Sequence, residues 1–241
     1  MSPRIAKAVI NGLLIAWAAI AIAPLLYMVS VSFMTQGEAS ALPPPVLPDH
    51  PTLANYRQLF MNAGMGRYLF NSLVISTSIT LVSLAFNLMA GYAFAKLEFA
   101  GRQRIFQVLL GALVIPAQVA MLPLFLLLKY MGLVNTYGAV IVPALATIFG
   151  IFLVRQYASG IPNDLLEAAR IDGAGEFRIF ATIVMPLLKP IMVTLAIFTF
   201  LAAGNEFMWP LIALTGQENY TRPIALASLS VDHVQDSETV M

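Results

Sequence analysis

The chain has no cysteine and only two histidines among its 241 residues. Without thiols there can be no disulfide, no thiolate metal site and no cysteine nucleophile, and the redox compartment is left open. His50 and His233 lie far apart in sequence, lack ligand or base-partner spacing, and read as solvated loop residues. Charge is scarce as well. The 13 basic and 12 acidic residues make up 10% of the chain, against about 25% in soluble globular proteins. Their near cancellation to +1 excludes the basic field that nucleic acid would require. No G-x-x-x-x-G-K-S/T phosphate loop occurs, so the chain is not an ATPase by the usual route. A membrane-embedded enzyme would need a nucleophile with a base, or a metal cluster. The Ser, Asn and Glu residues of the apolar stretches show no such spacing.

Apolar side chains, in contrast, are abundant at 59%, more than a water-soluble fold can hide. A membrane helix needs about 20 of them, because the hydrocarbon core is about 30 Å thick and a helix rises about 1.5 Å per residue. Gaps between charges therefore locate the spans: 8–37, 68–95, 105–128 and 130–154 carry none, and 190–217 carries only Glu206. Five spans in an all-α polytopic membrane protein are expected. The first run follows Arg4 and Lys7 as a secretory leader would, but it is about twice the length of a leader core and lacks a small-residue cleavage site, so it reads as a retained helix. Placing the N-terminus in the cytoplasm puts nine of the thirteen Lys and Arg residues inside, which sets the orientation.

The segments that follow from this are an N-terminal tail with the first span (1–36), an outer loop (37–67), spans two to four (68–154), an inner loop (155–186), the fifth span (187–216) and an outer segment (217–241). The outer loop carries Pro43, Pro44, Pro45, Pro48 and Pro51, whose fixed φ and missing donors make it extended and semi-rigid. The inner loop is charged and helix-patterned. Asp164 is placed to cap a helix, with Glu167 completing a capping box. Leu165, Leu166, Ala169 and Ala168 would form one small apolar face, and Gly173 would stop the helix. A second amphipathic stretch with Phe177, Ile179, Phe180 and Ile183 runs until Pro186 and Pro190 interrupt it. Such a knob suits docking of another protein surface, and it equally suits a helix lying on lipid headgroups.

The pattern Glu167-Ala168-Ala169, then Gly173, Ile183, Met185 and Pro186, resembles the EAA loop of permease subunits in binding-protein-dependent ABC importers. Met185 replaces the leucine usual there. The wording around Ile161, Pro162, Ile171, Asp172 and Ala174 is closest to the carbohydrate branch, similar to the second permease subunit of maltose and glycerol-phosphate type importers. Leu53, Asn55, Tyr56, Asn71, Ser72, Gly91, Tyr92, Ala93, Asn205, Glu206, Phe207, Trp209, Pro210 and Leu211 extend the resemblance over nearly the whole chain.

The resemblance implies a type I importer permease fold in a bacterial or archaeal inner membrane. Its partners would be a cytoplasmic ATPase dimer, a second permease and a solute-binding protein that delivers a sugar, a polyol or a glycerol-phosphate compound. ATP and Mg would sit on the partner subunits, with no cofactor on this chain. The loop's first helix would be the coupling helix, set into a cleft of the ATPase, with Glu167, Ala168, Ala169 and Gly173 in contact and Asp172 in support. Relatives run longer and carry a sixth helix after 228–241. The 241 residues are therefore expected to hold five spans of a six-span subunit, with truncation the preferred explanation.

Glu206 is the one acidic residue inside a span, where an ionisable group costs about 2.5 to 3.5 kcal/mol and should face a cavity or a partner. With Asn205 and Trp209 beside it and Pro210 expected to break the helix, it could bind sugar through carboxylate, amide and aromatic face, or pair with a neighbouring helix. Gly204 stands where relatives carry an aromatic. Asn87 and Gln118 are further pathway candidates that could instead bridge helices, while Pro116, Pro123 and Pro143 are expected kinks.

Overall fold

Helix α1 (Pro3–Ser32) is apolar on every side and keeps Pro24 within it without breaking. The computed structural model describes residues 3–35 and 37–229, and among these there is helix and loop but no strand. The second histidine and most of the segment 228–241, after which a sixth helix is expected, fall on 230–241, outside the described residues. The chain divides into two units, Met1–Met65 and Gly66–Met241.

In the first unit, the proline-rich segment after α1 is organised by one carboxylate. Glu38 accepts hydrogen bonds from the Asp49 amide (2.6 Å) and from the amide and hydroxyl of Thr35 (2.8 and 2.9 Å). These bonds, that from Asp49 foremost, hold its pKa below the ordinary carboxylate range. The Asn55 side chain then donates to the carbonyls of Ser32 and Met34, fastening α2 (Ala54–Arg57) to the end of α1.

The second unit is built around α3 (Met65–Lys96), a helix of 32 residues. Its first half packs Ile75 and Ile79 against Leu128 of α5 (Ala117–Tyr130), Ala139 and Val140 of α6 (Tyr137–Ile141), and Ile224. Its second half packs Leu88 and Tyr92 against Val154 and Ala158 of α7 (Ile148–Ser159), Leu166 of α8 (Asn163–Ile171), and Ile179 at the end of α9 (Glu176–Ile179). The chain then runs through a wide turn at Phe180–Val184, α10 (Met185–Leu187), α11 (Lys189–Asn205), α12 (Met208–Ala213) and α13 (222–229).

Three stretches, Pro3–Ser32, Met65–Lys96 and Tyr137–Ser159, are long and apolar enough to cross a membrane. The number rises to five if each of two bent pairs counts as one span. One of these bends falls at Pro116, where a kink is expected. The stretch 105–128 is split into α4 (Arg102–Ala112) and α5, which meet at 103°. Pro116 is the physical cause: it has no N–H and disfavours helical geometry at the residue before it, so three successive tight turns precede it. Pro123 sits inside α5 without ending it.

The fourth span starts at Tyr137 rather than at residue 130, because Asn135 adopts a left-handed φ of 62° that no helix continues through. It also reaches Ser159, past Arg155, whose charge is accommodated over the Phe106 ring at 4.0 Å and on the Phe94 carbonyl. The fifth stretch ends as a helix at Asn205, and Glu206 is extended. The break thus precedes Pro210, which lies buried within α12. Nor does Pro186 interrupt the chain. The wide turn before it leaves the local ladder already loosened, and the 79° bend comes between Leu187 and Lys189.

Candidate functional site

The segment 161–188 forms a knob at the Lys96 end of α3. Pro162, not Asp164, is the N-cap of α8, and no side chain caps its first turn. The expected capping box is therefore absent. Asp164 instead lies inside the first turn, where its charge complements the helix dipole.

The expected single apolar face also divides. Leu166 is 1% exposed and Ala169 packs beside it on the core, whereas Leu165 and Ala168 face outward, since adjacent helix positions differ by about 100°. The end of α8 is closed as a Schellman motif: Ala174 N–H donates to the Ala169 carbonyl and Gly173 N–H to that of Arg170, both at 3.0 Å. Gly173 has φ 80°, a conformation other residues adopt only with strain, and space around it is open.

Of the five residues assigned to coupling, Glu167, Ala168, Asp172 and Gly173 are exposed and Ala169 is half-buried. The structure brings them together on one short helix and its turn. Two large apolar side chains, Ile171 at 86% and Phe177 at 77% exposure, flank that turn. Such exposure on a rigid, well-packed support is what a docking surface requires.

Polar ties attach the knob to α3. Arg170 Nε meets Glu176 Oε1 at 2.6 Å, a bond that raises the guanidinium pKa further above its usual value. The other Glu176 oxygen accepts from the Tyr92 hydroxyl at 2.9 Å. Lys96 Nζ donates to the Ile161 carbonyl at 2.5 Å and to Asn163 Oδ1 at 2.8 Å. The roles of Tyr92 and Lys96 were not legible in the sequence, where the Gly91-Tyr92-Ala93 run carried only a resemblance. The signal available was an aromatic and a cation one turn apart at the end of a span.

The second group of candidates separates into three environments. Glu206 and Trp209 line an apolar cavity of about 600 Å3 between α3, α6, α7, α11 and α12, with Ile79, Val140, Leu195 and Phe198 among its walls. Glu206 Oε1 accepts from the amides of Met208 (3.1 Å) and Trp209 (3.3 Å), so its side chain starts α12 as a cap would. Trp209 Nε1 donates to the Ala139 carbonyl at 3.0 Å. Asn205 joins a different environment, accepting from Arg222 Nη2 at 2.7 Å. Asn87 is 1% exposed and bonds Ser83 and both the amide and hydroxyl of Thr147, so it bridges α3 to the start of α7 behind the cavity wall. Gln118 is exposed in the first turn of α5, apart from the cavity.

Sequence reasoning did not find the asparagine latch at the opposite end of α3. Asn71 donates to the carbonyls of Glu218 and Tyr220 and accepts from the Tyr137 hydroxyl. Asn135 accepts from the amides of Thr215 and Gly216 through its side chain, and its own carbonyl accepts from Asn219. An asparagine following a glycine turn, able to adopt positive φ, was the sequence signal.

Comparison with known proteins agrees with this architecture. Residues 87–233 match the family described as binding-protein-dependent transport system inner membrane component. The chain is 42% identical to an arabinooligosaccharides transport system permease protein of Halalkalibacterium halodurans, over 87% of this chain and 76% of that one. It is 35% identical to a diacetylchitobiose uptake system permease protein of Streptomyces coelicolor, over 98% of this chain and 78% of that one. Its fold superimposes with a TM-score of 0.86 on a chain of a bacterial ABC transporter involved in the import of the acidic polysaccharide alginate, covering 96% of this chain and 82% of that one at 24% identity.

Proposed function

The chain belongs to the family of inner membrane components of binding-protein-dependent transport systems, and from that premise we propose that it is the permease subunit of an ATP-driven importer of an oligosaccharide. The observation that carries the sugar reading is the 42% identity with a permease named for arabinooligosaccharides, extending over most of both chains.

In this reading α8 is the coupling helix. Its Schellman turn and apolar underside keep it rigid, while Glu167, Ala168, Asp172 and Gly173 face outward to meet an ATPase subunit. Small side chains let the partner approach closely, and the flanking Ile171 and Phe177 supply apolar area. The ATPase is a separate chain that holds ATP and Mg, and a second permease completes the membrane domain. The N-terminus is cytoplasmic, following the Lys and Arg bias. The apolar cavity beside Glu206 and Trp209 belongs to the solute path. A carboxylate and an indole at its wall combine hydrogen bonding with a stacking face, as sugar passage requires. Asn205 and Asn87 act from outside that wall, through Arg222 and Thr147.

The test is affinity purification of the tagged chain from its native membrane. Recovery of an ATPase, a second permease and a solute-binding protein is expected, with arabino-oligosaccharides or diacetylchitobiose raising the melting temperature of that binding protein. A chain recovered alone would refute the importer reading; stabilisation only by a non-sugar would refute the substrate class.

A further inference from the structure

Tyr92 and Lys96 stand one helical turn apart at the end of α3, so their side chains project from the same face. Between them they hold both ends of α8. Lys96 fastens the entry to α8 through the Ile161 carbonyl and Asn163, and Tyr92 fastens its exit through Glu176, which in turn grips Arg170. A polar cavity of about 600 Å3 lies beside α8, lined by Lys96, Glu98, Arg102, Glu167, Arg170 and Glu176. The Lys96 tie therefore borders space that apolar packing does not fill, while Tyr92 reaches Glu176 from within the core.

They are also not what folds the knob. The Schellman turn closes α8, and Leu166, Ile179 and Val184 are buried in an apolar core that the polar ends of Tyr92 and Lys96 do not form. Arg170 and Glu176 are 39% and 45% exposed, and ion pairs so exposed add little stability. What they fix is where α8 sits against α3. That helix runs back about seven turns from Lys96 to Asn71 and Ser72, which hold the chain at 218–222.

We propose that Tyr92 and Lys96 are positioning residues that make α8 and α3 move as one body, so that displacement of the knob reaches the far end of α3. This rests on the reading of α8 as the ATPase contact. Because the chain has no cysteine, it can be labelled at introduced thiols alone. Leu165→Cys on α8 and Leu81→Cys on α3, both exposed, take nitroxide labels in the full complex with its ATPase, whose own thiols are removed or blocked.

The distance between the labels is measured by pulsed electron resonance before and after trapping with ATP and vanadate. With native Tyr92 and Lys96, one narrow distribution unchanged by trapping is expected. With Tyr92→Phe and Lys96→Met together, trapping should shift or broaden it by several ångströms, and Lys96→Arg alone should leave it narrow. Should the double variant fail to assemble, Tyr92→Phe, which keeps the ring packed on Phe180, decides by the same shift. A narrow, unmoved distance in the variants, or a distance that already changes with both residues native, overturns the proposal. A Leu165→Cys label whose spectrum is indifferent to the ATPase would instead overturn the coupling-helix reading itself.

Discussion

At the Asn71 end of α3, loops are joined by amide side chains that substitute for regular structure: Asn71 and Asn135 satisfy backbone groups of residues 215–220 that no helix serves. At the Lys96 end, the knob is a regular helix closed by its own backbone and seated on an apolar core, with a few polar ties to α3. The difference is in what each end can tolerate. Asn71 is itself buried, so its bonds have no water to fall back on and that end resists displacement; at the other end a backbone-closed helix on an apolar core, tied to α3 through Tyr92 and Lys96, can be pushed as a rigid knob without unfolding.

The largest effect expected follows from Asn71→Leu. It leaves the carbonyls of Glu218 and Tyr220 and the Tyr137 hydroxyl without their partner in a site where Asn71 is 1% exposed, at about 1–3 kcal/mol for each group left unpaired. Hydrogen exchange should show protection lost over 215–221 and kept over 163–176. Equal loss at both ends would break the comparison.

Next is Gly91→Ala at the knob end. A Cβ there would lie 2.5 Å from the Val154 side chain and 3.0 Å from the Arg155 amide, forcing α3 and α7 apart at about 1–3 kcal/mol. A thermal midpoint in detergent well below that of the parent chain is expected. An unchanged midpoint would show that this crossing is looser than the structure describes.

The existence of apolar helices, the knob and its outward residues were legible because charge-free runs, the Glu-Ala-Ala pattern and a lone glycine are local signals. The breaks were less so. Pro116, Pro123 and Pro186 look alike in sequence, yet only Pro116 ends a helix, because whether a proline is absorbed depends on what the neighbouring turn does with the freed carbonyl. The grouping of Asn205, Glu206 and Trp209 failed for a similar reason. Once α11 ends at Asn205, the following extended residue turns Glu206 to the cavity and leaves Asn205 to Arg222, a partner 17 residues away. The Asn135 latch joins residues about 80 positions apart, which no local pattern reports.

A smaller effect sharpens the contrast from the knob side. Gly173→Ala should cost about 1 kcal/mol through its positive φ alone, since no atom lies within 4 Å of the added Cβ. A thermal scan should therefore barely register a change that ATP-driven uptake registers strongly. Equal losses of stability and uptake would make Gly173 a folding residue only.

The smallest effect concerns the latch at low pH. Glu218 has its pKa lowered, first by a hydrogen bond to its own backbone and then by that from Asn135. A lowered carboxylate stabilises the folded state above its unfolded value, near 4.5, and that contribution is lost as pH falls through the folded value. Exchange at Gly216 and Asn219 should accelerate modestly below that range in the parent and not in Glu218→Gln. Identical pH profiles would remove Glu218 from the latch.

The central claim is that the exposed face of α8 and its glycine turn dock the ATPase. It is tested most directly by the amount of ATPase subunit that copurifies with a tagged Glu167→Lys, Gly173→Val chain, normalised to chain inserted in the membrane. Retention should fall to background while the variant inserts normally and keeps the exchange protection of its Asn71 end. Retention at the parent level would contradict the assignment.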